Sequence, residues 1–177
     1  MVNNSELVDK LKQGSIALLN LDSGLYVVAS SLHEQAVSRL SDLGIIGGES
    51  ILMLGKSTIL DDYILDVPEM ANTLLELSDK PLNLRFKKWK EIPSLTKLFA
   101  DGIVVQISTE PILQRLLGSL KGDLVSILVE NRSAKAIKVV SAMVDYVVDG
   151  AVVKTPQSVL PGIIEFDEKG ALKVIRE

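Results

Sequence analysis

Gly55-Lys56-Ser57 invites comparison with a phosphate-wrapping loop. That motif needs a glycine five residues before Gly55, and Ser50 stands there. A strand pattern also fills the stretch where the loop should lie, so Lys56 reads as an ordinary charge in a strand-to-helix turn. Arg85-Phe86-Lys87-Lys88-Trp89-Lys90 is a basic run interleaved with aromatics, a composition that can contact phosphates and stack a base. Charge runs more often solvate a surface, and this one reads as a strand end and turn with solvated lysines. Asp61 and Asp62 are adjacent, so their side chains diverge on a helix or a strand and make a poor acid–base pair. His33 is the only histidine, and there is no cysteine, which argues strongly against a zinc site. It falls in the first turn of a predicted helix and reads as a solvated capping-region residue. With one histidine so placed, no Ser-His-Asp or Cys-His arrangement can be built.

Hydrophobic period defines the framework around these residues. Residues 5–13 read as a short helix with Leu7, Val8 and Leu11 on one face, stopped by Gly14. Two apolar runs of strand length, 16–19 and 25–29, are split by Asp22-Ser23-Gly24. Ser31-Leu32-His33-Glu34 has capping-box spacing ahead of a helix whose stripe is Ala36, Val37, Leu40 and Leu43, ended by Gly44. Residues 50–54 form another apolar strand, and Asp66-Val67-Pro68-Glu69 opens a helix with Met70, Leu74 and Leu77 facing inward. Residues 81–86 alternate with period two. Further strands are predicted at 103–107, 124–129, 159–166 and 172–175, with helices at 111–120 and 134–143. Asp167-Glu168-Lys169-Gly170 has hairpin-turn composition. Several neighbouring strands look hairpin-linked, so the pattern predicts an α/β (α+β-like) mixed sheet with helices packed on it, not a purely alternating doubly wound one.

Composition narrows the class. The 177 residues fit one domain, 1–177, and 47% hydrophobic content supports a large core. Nineteen basic and twenty-three acidic residues give a net charge of −4, which argues against broad nucleic-acid binding through phosphates. No apolar run reaches the roughly 18–20 residues needed to span a bilayer. Residues 1–6 carry an acid and no basic residue precedes Lys10, unlike a signal peptide. Together with the absence of cysteine, this predicts a cytoplasmic protein with no membrane partner.

Eroded motifs follow one another along the chain at residues 20–26, 36–37, 80–84, 103–111, 129–134, 144–150, 156–160 and 174–176. Taken in that order, they resemble the YrdC-like family of threonylcarbamoyl-AMP synthases, which make a tRNA-modification intermediate from threonine, bicarbonate and ATP. Asn20-Leu21-Asp22-Ser23-Gly24-Leu25-Tyr26 resembles the family's P-T-D-T-x-Y segment with one extra residue, and Ala36-Val37 matches the helix after it. Lys80-Pro81-Leu82-Asn83-Leu84 is similar to G-P-L-T-L. Ile103-Val104-Val105-Gln106-Ile107-Ser108-Thr109-Glu110-Pro111 is similar to the V-x-V-R-x-P strand and turn, and Val129-Glu130-Asn131-Arg132-Ser133-Ala134 to S-A-N-x-S-G. Val144-Asp145-Tyr146-Val147-Val148-Asp149-Gly150, then Pro156-Gln157-Ser158-Val159-Leu160, then Val174-Ile175-Arg176 complete the series.

The departures are chemical. The family's K-x-R pair falls on residues 44–48, where no basic residue lies. Loss of one preorganised donor of this kind commonly costs ~10²–10³ in rate. The substrate arginine falls at Gln106, which cannot form a charged fork with a carboxylate. Val129 and Gln157 replace serines, and the expected histidine has no counterpart near Met53-Leu54. The resemblance therefore implies a degenerate member without synthase activity. Its binding residues would be Asn131, Ser133, Ser158 and Arg176, bordered by the turn carrying Ser23 and with Gln106 beside them. The implied ligand is AMP, ATP or a small carboxylate, with no metal and no obligate cofactor. RNA binding is expected to be weak. The rival readings are an enzyme of altered chemistry and a protein-interaction module.

Overall fold

The computed structural model describes residues 4–43, 48–107, 110–148 and 160–176. Among them, nine strands form one mixed sheet in the order β7-β1-β2-β6-β3-β5-β4-β8-β9. They are β1 (Ala17–Leu21), β2 (Gly24–Ser30), β3 (Ser50–Leu54), β4 (Leu82–Phe86), β5 (Ile103–Ile107), β6 (Leu124–Leu128), β7 (Tyr146–Val147), β8 (Gly162–Phe166) and β9 (Leu172–Arg176). The pairs β1–β7, β3–β5 and β4–β8 are parallel and the others antiparallel. The sheet is mixed, as the sequence pattern predicts, and the strands expected near 16–19, 25–29 and 103–107 share it.

The helices are α1 (Asn4–Lys12), α2 (Glu34–Asp42), α3 (Leu60–Tyr63), α4 (Glu69–Leu77), α5 (Pro111–Leu120) and α6 (Ala134–Met143). Leu7, Val8 and Leu11 of α1 are buried, and so are Leu113, Leu116, Leu117 and Leu120 of α5, against which α1 packs. Every residue of β2 is buried, because both faces of this central strand are covered. Gly14 and Gly170 have φ of +85° and +79°; in this left-handed region one stops α1 and the other turns the β8–β9 hairpin. Among the described residues no helix is long and apolar enough to cross a membrane, and no group of three His, Cys, Asp or Glu could hold a metal ion.

Several local expectations are corrected. The capping box does not form: His33 is the N-cap of α2 without a side-chain cap bond. Ser31 Oγ instead accepts from the backbone N–H of Asp123, next to β6. His33 is half-buried, and a Cβ on Gly14 would lie 2.5 Å from its ring. In α4 the buried residue is Ala71; Leu74 is half-buried, while Met70 and Leu77 are 54% and 75% exposed. Strand β8 begins at Gly162, and residue 159 of the expected strand lies outside the described residues. Strand β7, the short helix α3 and the turn bearing buried Leu95 and Phe99 are too short to show a period in the sequence.

Candidate functional site

Polar residues in apolar strands project from one face of this sheet. Strand pairing sets Gln106 beside Asn83, Asn83 beside Ile163 and Ile163 beside Arg176. Successive strand residues alternate faces, so Arg85, two residues from Asn83, and its partner Glu165 share this face too. Gln106 Nε2 donates to Asn83 Oδ1 at 3.0 Å. Asn83 is 0% exposed, and its own Nδ2 has no hydrogen-bond partner among the described residues. A buried donor left unpaired costs about 1–3 kcal/mol.

The same face continues across the sheet to the β1–β2 turn. Pairing runs from Gln106 through Met53 and Leu124 to Ser30, so Tyr26, four residues before Ser30 on β2, shares this face with Gln106 three strands away. Tyr26 Oη donates to Ser23 Oγ at 3.2 Å. Beyond β5, Glu110 accepts from the backbone N–H groups of Asp22 (3.1 Å) and Ser23 (3.4 Å), fastening that turn to the N-terminus of α5. Burial pushes the Glu110 carboxyl up, with the Asp22 and Ser23 N–H groups working against it. Burial likewise raises the Tyr26 phenol, opposed by the hydrogen bond to Ser23. Tyr26 is thus a neutral donor and acceptor, not a base. The guanidinium of Arg132 approaches the same turn, 3.3 Å from where a Cβ on Gly24 would sit.

The sequence-derived candidates divide on this map. Ser23 accepts from Tyr26, which shares a face with Gln106, and Arg176 stands on the row of Gln106 and Asn83, three strands from Gln106. Asn131 and Ser133 flank Arg132 but are bound locally. Asn131 Oδ1 accepts from the Ser133 N–H (3.0 Å), and Ser133 Oγ caps α6 at the Ala136 N–H (3.2 Å). They also line a separate groove of about 370 Å³ with Val129, Val139 and Met143. Ser158, and all but Gly48 of the 44–48 segment, lie outside the described residues. Tyr26, Asn83, Glu110 and Arg132 belong to this face without being singled out by sequence reasoning. The available signal is a polar residue interrupting an apolar strand, which Asn83 and Gln106 both show.

Most cations nearby are engaged. Arg85 reaches Glu49 at 2.8 Å and Glu165 at 3.5 Å; Lys87 reaches Asp101 at 2.7 Å. Lys88 pairs with Asp66, and Lys90 donates to the Asp61 carbonyl. Trp89 is 6% exposed and packs edge-on against Phe99 at 6.2 Å, so it offers no stacking face. Lys56 precedes a 3-10 turn as its N-cap.

This twisted mixed sheet is the YrdC-like fold. No family model and no curated protein matches the chain. Among solved structures, a substituted form of P. abyssi Sua5 superposes with a TM-score of 0.77 at 16% identity, covering 98% of this chain and 52% of that one. E. coli YciO gives 0.71 at 22% identity, covering 98% of this chain and 88% of YciO. Full-length HypF, solved in a phosphate- and nucleotide-bound form, gives 0.66 at 17%, covering 98% and 28%. The chain thus spans about half the length of that Sua5.

Proposed function

We propose that the chain forms a single YrdC-like domain, related by fold to tRNA-modification synthases, that binds an AMP-like nucleotide or small carboxylate without turning it over. The carrying observation is the character of this sheet face. It offers neutral groups (Ser23, Tyr26, Asn83, Gln106) with one spare buried donor, while Arg85 and Arg176 already sit beside Glu49. Neutral donors suit a base, ribose or amide, whereas a transferring polyphosphate needs unneutralised positive charge. Two neighbours support a ligand of this class: P. abyssi Sua5 has been solved with L-threonine and HypF with phosphate and nucleotide. The sequence adds the missing K-x-R pair.

The test is calorimetric titration of wild type and Arg176→Ala with AMP, ATP and threonine, beside an assay for the threonylcarbamoyl adenylate. AMP or threonine is expected to bind no tighter than micromolar, about −8 kcal/mol, and more weakly in the variant. Tight ATP binding indifferent to Arg176→Ala, or turnover within about tenfold of an intact synthase, overturns the reading. Binding of none of the three favours an interaction module, which the exposed Leu172, Val174 and Ile175 of edge strand β9 would suit.

A further inference from the structure

Glu49 extends its carboxylate between two guanidiniums. Its backbone is fixed on β6: its carbonyl accepts from the Leu128 N–H at 3.0 Å, and the preceding Gly48 lies so close to Leu128 that a Cβ would fall 1.5 Å from the Leu128 carbonyl oxygen. From this anchored position Oε1 accepts from Arg85 Nη2 at 2.8 Å. Oε2 lies 3.9 Å from Arg176 Nη2, is buried, and accepts no hydrogen bond among the described residues. Arg176 directs its Nε and Nη2 donors to the Pro161 carbonyl, at 2.9 and 2.7 Å, so its charge but not its hydrogen bonds serves Glu49.

Among the described residues the cluster is balanced in charge. Arg85, Lys87 and Arg176 face Glu49, Glu165 and the exposed Asp101. Glu165 stands between Arg85 (3.5 Å) and Lys87 (3.6 Å), and Asp101 is held by Lys87. Removing the charge of Glu49 therefore uncovers one positive charge, shared by two guanidiniums that bracket a carboxylate-sized place. Guanidinium groups select carboxylate and phosphate oxygens.

We propose that Glu49 is a built-in carboxylate occupying an oxyanion site formed by Arg85 and Arg176, and that it competes with a small external oxyanion for that place. This deepens the reading given above and rests on it in one respect, the assignment of Arg176 to the ligand face. The consequence is a competition: with Glu49 in place the charged end of a ligand reaches Arg85 and Arg176 only by displacing that carboxylate, which keeps its binding weak. Like charges brought together in an interface oppose binding strongly.

The experiment titrates inorganic phosphate and, separately, AMP into wild type, Glu49→Gln and the double variant Glu49→Gln/Arg176→Ala, with potassium chloride at matched ionic strength as the control. Calorimetry and thermal unfolding are both read. Phosphate affinity is expected to rise at least about tenfold in Glu49→Gln and to return to the wild-type level in the double variant. Glu165→Gln removes a carboxylate that touches Arg85 and Lys87 but not Arg176, and gains less. If Glu49→Gln does not fold, Glu49→Asp retracts the carboxylate while keeping its charge, and a smaller phosphate gain is expected there. A folded Glu49→Gln, or failing that Glu49→Asp, with no more response to phosphate than wild type overturns the proposal. AMP bound equally by wild type and Glu49→Gln with no phosphate gain does the same and leaves the nucleotide reading standing. A phosphate gain with no AMP binding in any variant keeps Glu49 as the competitor and sinks the nucleotide reading instead.

Discussion

Ser133 illustrates how one residue can look like a ligand contact and be held by local structure. Its Oγ accepts from the Ala136 N–H as the N-cap of α6, and its own N–H is bound by Asn131. Ser133→Ala is expected to destabilise the fold by about 1 kcal/mol in urea unfolding and to leave AMP affinity within a factor of about two. A larger affinity loss with unchanged stability would restore Ser133 to the ligand site. Asp145 gives the clearest pH dependence. Arg39 binds both of its oxygens, at 2.9 and 3.0 Å, and the Ile16 N–H donates at 2.8 Å; Arg39 above all holds the carboxyl below its ordinary range. A depressed folded pKa means stability that is fully present above the unfolded value and lost as pH falls through the folded one. Both side chains are more than a third exposed, so solvent screening keeps the effect small. The stability gap between wild type and Asp145→Asn should be present at neutral pH and narrow on acidification below the carboxylate range. A gap independent of pH would show that packing, not charge, carries the pair.

Among the elements, two glycines should respond with opposite sign. Gly48 leads into β3 against the backbone of β6, where a Cβ would lie 1.5 Å from the Leu128 carbonyl oxygen and 2.6 Å from its carbon. Backbone cannot yield as a side-chain tip can, so Gly48→Ala is expected to cost at least about 2 kcal/mol in chemical unfolding. Gly118 sits in α5, where a Cβ would meet nothing within 4 Å among the described residues. Gly118→Ala should therefore stabilise by about 0.5–1 kcal/mol, because alanine loses less backbone entropy in a helix than glycine does. Equal effects at the two sites would mean that β3 approaches β6 more loosely than the backbone indicates.

For the whole molecule the question is what surface it offers to large polyanions. The net charge is −4, Lys87 and Lys88 are paired with Asp101 and Asp66, and Trp89 is buried. Double-stranded RNA should bind weakly or not at all near physiological salt, and Lys87/Lys88/Lys90→Ala should change little. Were four phosphates contacted, affinity would fall with a log–log salt slope of about −3 to −4. Submicromolar affinity that disappears in the triple variant would promote the basic run to an interface.

Hydrophobic period is a local property set by backbone geometry, so the longer helices and most strands were legible in the chain alone. The order of residues also carried the YrdC-like resemblance, the absence of basic residues at 44–48 and the neutral Gln106. It did not reveal that Gln106 donates to Asn83, that Asn83 keeps an unpaired buried donor, or that Glu49 reaches Arg85. Each of these depends on residues from different strands, brought together by sheet order and register. Strand order and register depend in turn on how every element packs against the others. Which polar side chains share this face, and which charges are already matched there, was therefore settled by the folded chain and not by any stretch of it.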